Sequence, residues 1–210
     1  MPRGRKKSVQ QPKRFRYDPA KLLTRVRYPS RIPTRAQMKL AHDEGWAGWI
    51  RSVQDEIAVA EGCWFNIDAA EATREFFAHR LSHGKAPHFG KPFVLDDYQY
   101  DDIIGPIYGW RTADDLRRYR SAYIHIPKKN GKTQLAAGIA VIELHYCAGS
   151  RVYIVATSES QAYECYDEAA GMIERSPPLG SYLKVLRSTG RVVWHRRNSV
   201  LSTMAKAAAS

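Results

Sequence analysis

The sequence predicts an α/β fold: a parallel sheet with flanking helices, preceded by a helical region and a basic disordered arm. Three observations point there. An apolar run over residues 121–126 enters a short basic loop, which opens a long apolar helix. A second β-prone run, Val152-Tyr153-Ile154-Val155-Ala156, arrives about 30 residues after the first, the length of a right-handed βαβ unit. The charge is uneven: residues 1–40 hold 13 of the 33 Lys and Arg but one of the 21 acids, so the net +12 of the chain sits there and the remainder is balanced.

The elements follow in order. Residues 1–34 read as the arm, where Pro2, Pro12, Pro19, Pro29 and Pro33 break any long helix. Its mixture of basic and aromatic residues, Phe15, Arg16, Tyr17, Arg27 and Tyr28, suits a polyanion: cations neutralise phosphates and rings stack on bases. Residues 35–115 read as a helical region. Trp46, Trp49, Ile50, Val53, Ile57 and Ala58 form one stripe, predicting a helix over 46–60 that Gly62 ends. Asp68 with Glu71 three residues on predicts a capping box and a helix to about Leu81. Gly84 to Pro92 reads as a loop, and Asp96 caps a helix to about Gly109.

Residues 116–210 read as the sheet-bearing core. After the strand 121–126 comes a helix over about 132–146, apolar nearly all round and therefore buried. Ser158, with Gln161 at N3, caps the helix after the second strand, and Pro177, Pro178 and Gly180 stop it. Short β-prone runs lie at 183–186, 191–194 and 199–203. No apolar run reaches the ~18 residues of a membrane span, and no apolar stretch follows the basic start as a secretory signal requires. Cys63, Cys147 and Cys165 are too few and too scattered for a disulfide framework or a zinc pattern, so a reducing cytoplasm is expected.

The loop Pro127-Lys128-Lys129-Asn130-Gly131-Lys132-Thr133 carries the chemistry. Backbone N–H groups at a helix N-terminus face an anion, and the helix dipole favours negative charge there. Lys132 reaches the β- and γ-phosphates of such a ligand, and the Thr133 hydroxyl holds Mg²⁺. This layout makes the fold P-loop NTPase-like, although Ile126 stands where the full pattern has its first Gly. Gln99 is a second candidate. Its carboxamide suits the N6/N7 edge of adenine, but Asp96-x-x-Gln99 is equally a capping box, and the residues leave both readings open.

Other clusters read more plainly. His79 and His83 form an i,i+4 pair with no third metal ligand evident. Asp96, Asp97, Asp101 and Asp102 suit an acidic helix start. Trp46, Trp49, Trp64 and Trp110 read as core.

Together these segments resemble the ATPase module of the large terminase subunit of tailed bacteriophages. The resemblance covers roughly residues 60–205 and rests on Phe76-Phe77, Gly90-Lys91-Pro92-Phe93, Leu95 to Gln99, Gly109-Trp110, Arg117-Arg118-Tyr119, Pro127 to Thr133, and Ala156-Thr157-Ser158 before Gln161-Ala162. It implies ATP and Mg²⁺ as cofactors and hydrolysis coupled to movement of double-stranded DNA into procapsids. The implied partners are a small terminase subunit, the portal protein and further copies in a ring, in the host cytoplasm. It implies that Lys128 (or Lys129) is the early basic residue of a deviant loop. Lys128 and Lys132 then act on the transferring phosphoryl, with Lys129, Asn130, Gly131, Lys132 and Thr133 binding the nucleotide and Gln99 reading adenine. Thr157 is implied to couple nucleotide state to motion. One departure stands out: no apolar strand ending in Asp-Glu follows Thr133, so the expectation is a module that stops before Walker B and the nuclease domain, with doubtful turnover of its own. The alternatives are a helicase-like P-loop translocase and a non-hydrolysing DNA-binding remnant.

Overall fold

A computed structural model describes residues 32–205; the arm up to Arg31, with its expected disorder, lies outside the described residues. The first helix, α1 (Arg35–Asp43), starts at a capping box in which Thr34 and Gln37 satisfy each other's backbone N–H groups. Gln37 also donates to the Val59 carbonyl at 2.7 Å, tying α1 to the following helix.

The predicted helix over 46–60 is split into a 3₁₀ turn (Ala47–Trp49) and α2 (Val53–Ala60). Ser52 is the cause: its hydroxyl accepts from the Asp55 N–H and restarts the helix, a local bond that competes with continuation. The break lays Trp49 flat on Phe65, with ring centroids 4.1 Å apart. Strand β1 (Trp64–Phe65) pairs antiparallel with β2 (Trp110–Arg111). Between them, α3 (Ile67–Arg80) is capped by Asn66, not by Asp68 as its sequence suggested. The Asp68–Glu71 box does not form; the Glu71 carboxylate instead accepts from the Tyr100 hydroxyl at 2.6 Å.

Asp96 begins the next helical run as predicted: α4 (Asp97–Gln99), a π turn (Tyr100–Ile104) and α5 (Gly105–Gly109). Trp46 and Trp110 are buried and meet edge to face at 6.2 Å, while Trp49 and Trp64 are partly buried against the same core. Gly109 is required here, because a Cβ on it would lie 2.2 Å from the Phe65 ring.

The second half is built on α6 (Lys132–Tyr146), whose Leu135, Ala137, Val141, Ile142 and Leu144 are buried. Strand β3 (Arg151–Ala156) leads into α7 (Glu159–Glu174), capped by Ser158, and a short helix α8 (Pro177–Gly180) forms where only a stop was expected. Strands β4 (Lys184–Leu186), β5 (Arg191–Trp194) and β6 (Ser199–Ala205) complete a sheet in the order β3-β6-β5-β4.

This sheet corrects the expectation in three ways. It is mixed, with β3 and β6 parallel and the β6–β5 and β5–β4 pairs antiparallel. Residues 121–126 form no strand, and no ladder partner reaches them among the described residues. The segment is β-prone, but a strand exists only by pairing; Tyr123 is 92% exposed while Ile126 is anchored in the core. The helices expected to flank the sheet lie on one of its faces. Val152 and Ile154 pack on the core, whereas Tyr153, Val155 and Met204 are exposed, so the described residues cover one face.

Candidate functional site

Residues 127–133 run from the extended segment into α6. Lys129 (φ 73°) and Gly131 (φ 68°) both adopt the left-handed conformation, which glycine takes freely and lysine takes at a cost. Such alternation curls backbone N–H groups into an anion-binding concavity. No side chain caps α6, whose first-turn N–H groups have no intrahelical acceptor. The loop therefore offers donors where a helix dipole adds partial positive charge.

This loop forms one wall of a cavity of about 1010 Å³. Lys128, Lys129, Asn130, Gly131, Lys132, Thr133 and Gln99 all line it, so residues predicted from two separate segments come together in space. Four lysines, Lys85, Lys128, Lys129 and Lys132, face two carboxylates, Asp96 and Glu168. A second cavity of about 770 Å³ lies along residues 121–127, and Tyr98 and Asn130 line both.

Gln99 is buried beside Gly131. Its carbonyl oxygen accepts from the Asp96 N–H at 3.0 Å and its amide donates to the Tyr98 hydroxyl at 3.3 Å. The capping box is thus present, and at most one N–H and one lone pair of this side chain remain for a ligand. The Tyr98 hydroxyl donates in turn to the Asn130 carbonyl at 3.4 Å, linking the Gln99 helix to the loop.

Several predicted residues lie elsewhere. Thr157 is exposed, bonded to Gln161 at 2.8 Å, and does not line the cavity. His79 and His83 do not share a helix face, because α3 ends at Arg80; His83 instead contacts Gln134 at 3.0 Å and packs on Phe93. Asp101 and Asp102 pair with Arg51. Arg117 pairs with Glu143 and Arg118 with Asp55, so neither is a free surface cation.

The sequence did not point to Lys85, Glu168, His83, Tyr98 or Gln134 as members of this site. Lys85 lies in a Gly/Pro-rich loop that carries no motif. Glu168, an acid beside Ala169-Ala170, carries no motif either.

The chain matches the family model of the terminase large subunit, ATPase domain, over residues 97–209. No curated protein matches it significantly in sequence. Its fold is similar to that of the HK97 bacteriophage large terminase crystal structure, with a TM-score of 0.56 and 24% identity. That likeness covers 67% of this chain and 28% of the HK97 chain, so this chain spans well under half of that protein's length. The family match takes in the Gln99 helix, the lysine loop, α6 and the sheet, more than half of all residues, and the chain therefore belongs to the terminase large subunit family, whose ATPase domain it carries.

Proposed function

We propose that this chain is the ATP-binding part of a viral DNA-packaging motor, and that ATP·Mg²⁺ occupies the cavity of about 1010 Å³. The observation that carries the reading is the convergence of Lys128, Lys129 and Lys132 with the uncapped start of α6 in one nucleotide-sized cavity. Residues 35–115 serve as the base-reading helical region and residues 116–210 as the phosphate-binding core.

The fit to an anionic nucleotide is good. Backbone N–H groups of Asn130, Gly131 and Thr133 cradle the phosphates. Lys132 and Lys128 neutralise charge on the phosphoryl that is transferred, and Lys129 adds to the local positive field. Gln99 presents its remaining N–H and lone pair to adenine. Mg²⁺ would draw charge from the phosphate oxygens, and the Thr133 hydroxyl would hold it. Among the described residues no cluster of three His, Cys, Asp or Glu stands ready to complete a metal site. Within these 210 residues no apolar strand ending in Asp-Glu follows Thr133, so binding without steady turnover is expected of this chain.

By family membership the motor translocates double-stranded DNA into procapsids with a small terminase subunit and a portal protein, as a ring in the host cytoplasm. No described helix is long and apolar enough to cross a membrane. Residues 1–40 carry the net charge and supply the DNA contact through phosphate neutralisation.

The test follows ATP·Mg²⁺ retention and phosphate release together for the 210-residue chain and Lys132→Ala. Retention by wild type, weakened about tenfold or more in the variant, with no steady release, is expected. Steady release that Lys132→Ala abolishes would contradict the binding-without-turnover reading.

A further inference from the structure

Opposite the lysine loop, the cavity wall is a second loop, residues 82–92, folded back on itself. Ser82 bridges Pro92, His83 N–H donates to the Lys91 carbonyl at 2.9 Å, and Gly90 N–H donates to the His83 carbonyl at 2.9 Å. It is braced on both helices that bound the cavity. His83 meets Gln134 of α6, and Arg175, just beyond α7, donates to the Ser82 hydroxyl at 3.0 Å and the Ser82 carbonyl at 3.3 Å. At its tip, the Lys85 ammonium lies 3.0 Å from Glu168 Oε1 of α7.

Glu168 is an unusual partner. Its side chain is 5% exposed, on a helix turn where Ala169, Ala170 and Met172 are fully buried. One oxygen meets Lys85, and the other, Oε2, has no hydrogen-bond partner. The loop backbone lies flush against that oxygen, since a Cβ on Gly84 would be 2.3 Å from it. A buried carboxylate with half its acceptor capacity unused is costly, and an apolar residue would brace the loop at less cost. What Glu168 does provide is a fixed, negatively charged seat for one ammonium. Its hydrogen bond and charge hold Lys85 protonated, above the ordinary lysine range. Lys85 itself is 67% exposed in its side chain and has three N–H donors, of which Glu168 engages one.

Resting on the nucleotide reading of this cavity, we propose that Lys85 is a further phosphate-binding residue and that Glu168 is its positioning residue. The ammonium bridges the buried carboxylate and a nucleotide phosphate, so that the loop of residues 82–92 closes the cavity from the side facing Lys132. Charge complementarity favours this arrangement. A polyphosphate entering the cavity would meet the Glu168 carboxylate unless a cation stood between them, and Lys85 stands there. A glutamate on one helix that fixes a phosphate-binding lysine from another segment is a known way to build such a site. Lys85 lies outside the family-matched residues 97–209, so it owes nothing to the motif that marks the loop.

The experiment measures ATP·Mg²⁺ affinity of the full chain against salt, with unfolding midpoints taken without nucleotide. Lys85→Gln is expected to weaken ATP about tenfold, the loss of one charge-assisted contact, and to flatten the salt dependence. Lys85→Arg is expected to stay within about threefold of wild type, since it keeps the charge. Glu168→Gln, which keeps the shape and removes the charge, is expected to lose less than Lys85→Gln in the same direction. Lys85→Gln binding as wild type, or losing affinity with an unaltered salt slope, would overturn the phosphate contact. Glu168→Gln with unchanged ATP affinity would overturn the positioning role. A wild-type chain that binds no ATP, or a Lys132→Ala variant that binds it undiminished, overturns the nucleotide reading of the cavity rather than the choice of Lys85 within it.

Discussion

At Gln99 the carbonyl oxygen closes a capping box on Asp96, while the amide reaches Tyr98 and, through it, the Asn130 carbonyl. The two readings the sequence left open are compatible: the cap is present, and Gln99 also lines the cavity. Gln99→Ala is expected to cost about 1 kcal/mol of stability through the cap. It should also weaken ATP more than GTP, because only adenine presents the matching edge. Equal losses for ATP and GTP at unchanged fold would reject the adenine role. The loop itself was legible because its chemistry is contiguous in sequence. Lys85 and Glu168 were not, because nothing local in a Gly/Pro-rich loop or in an acid beside Ala169 announces that folding brings the two within 3.0 Å.

Among the elements, those fixed by local signals matched their sequence reading closely. Helix α6 is buried because it is apolar nearly all round, and α7 begins at the Ser158 cap. Departures arose where a nearer hydrogen bond won. Ser52 splits the run over 46–60, and Asn66 displaces Asp68 as a cap. The Ser52 cap also helps seat a buried ion pair that joins the helical region to the segment before the lysine loop: Arg118 Nη1 lies 2.6 Å from Asp55 Oδ1, with side chains 16% and 9% exposed.

Burial opposes ionisation of Asp55, but hydrogen bonds from Ser52 and Arg118, the Arg118 charge and the Arg51 N–H outweigh it and hold the carboxyl below its ordinary value. A carboxyl depressed in the folded state contributes stability that is present above its unfolded pKa of about 3.9 and is lost as pH falls through the lower folded value. Arg118→Met should therefore destabilise the chain by about 3 kcal/mol at neutral pH, because it strands a buried charge. Urea midpoints should show that gap narrowing below about pH 4. An equal gap at pH 7 and in acid would mean that Arg118 acts by packing on Trp110 and Tyr119 rather than by charge.

For the whole molecule, the α/β class was legible and the sheet was not. Composition and capping revealed alternating strands and helices, but pairing is a long-range property. Residues 121–126 have strand-like sequence and no ladder partner among the described residues, and β6 pairs parallel to β3 while its other edge takes an antiparallel neighbour. The open face of β3 and β6, with Tyr153, Val155 and Met204 exposed, belongs to the same picture: parallel pairs are ordinarily covered on both sides. Charge divides the molecule differently. Arg117 and Arg118 are held in ion pairs within the fold, the net charge of +12 lies in residues 1–40, and four lysines line the cavity.

In the proposed nucleotide site, phosphates sit on the backbone of residues 130–133 at the start of α6. Amide hydrogen exchange, followed residue by residue with and without saturating ATP·Mg²⁺, tests it most directly. Exchange at Asn130, Gly131, Lys132 and Thr133 is expected to slow by about tenfold or more on binding, with weaker protection across residues 82–92. Exchange at these four amides that stays unchanged while ATP is demonstrably bound, or protection confined to the cavity along residues 121–127, would contradict it.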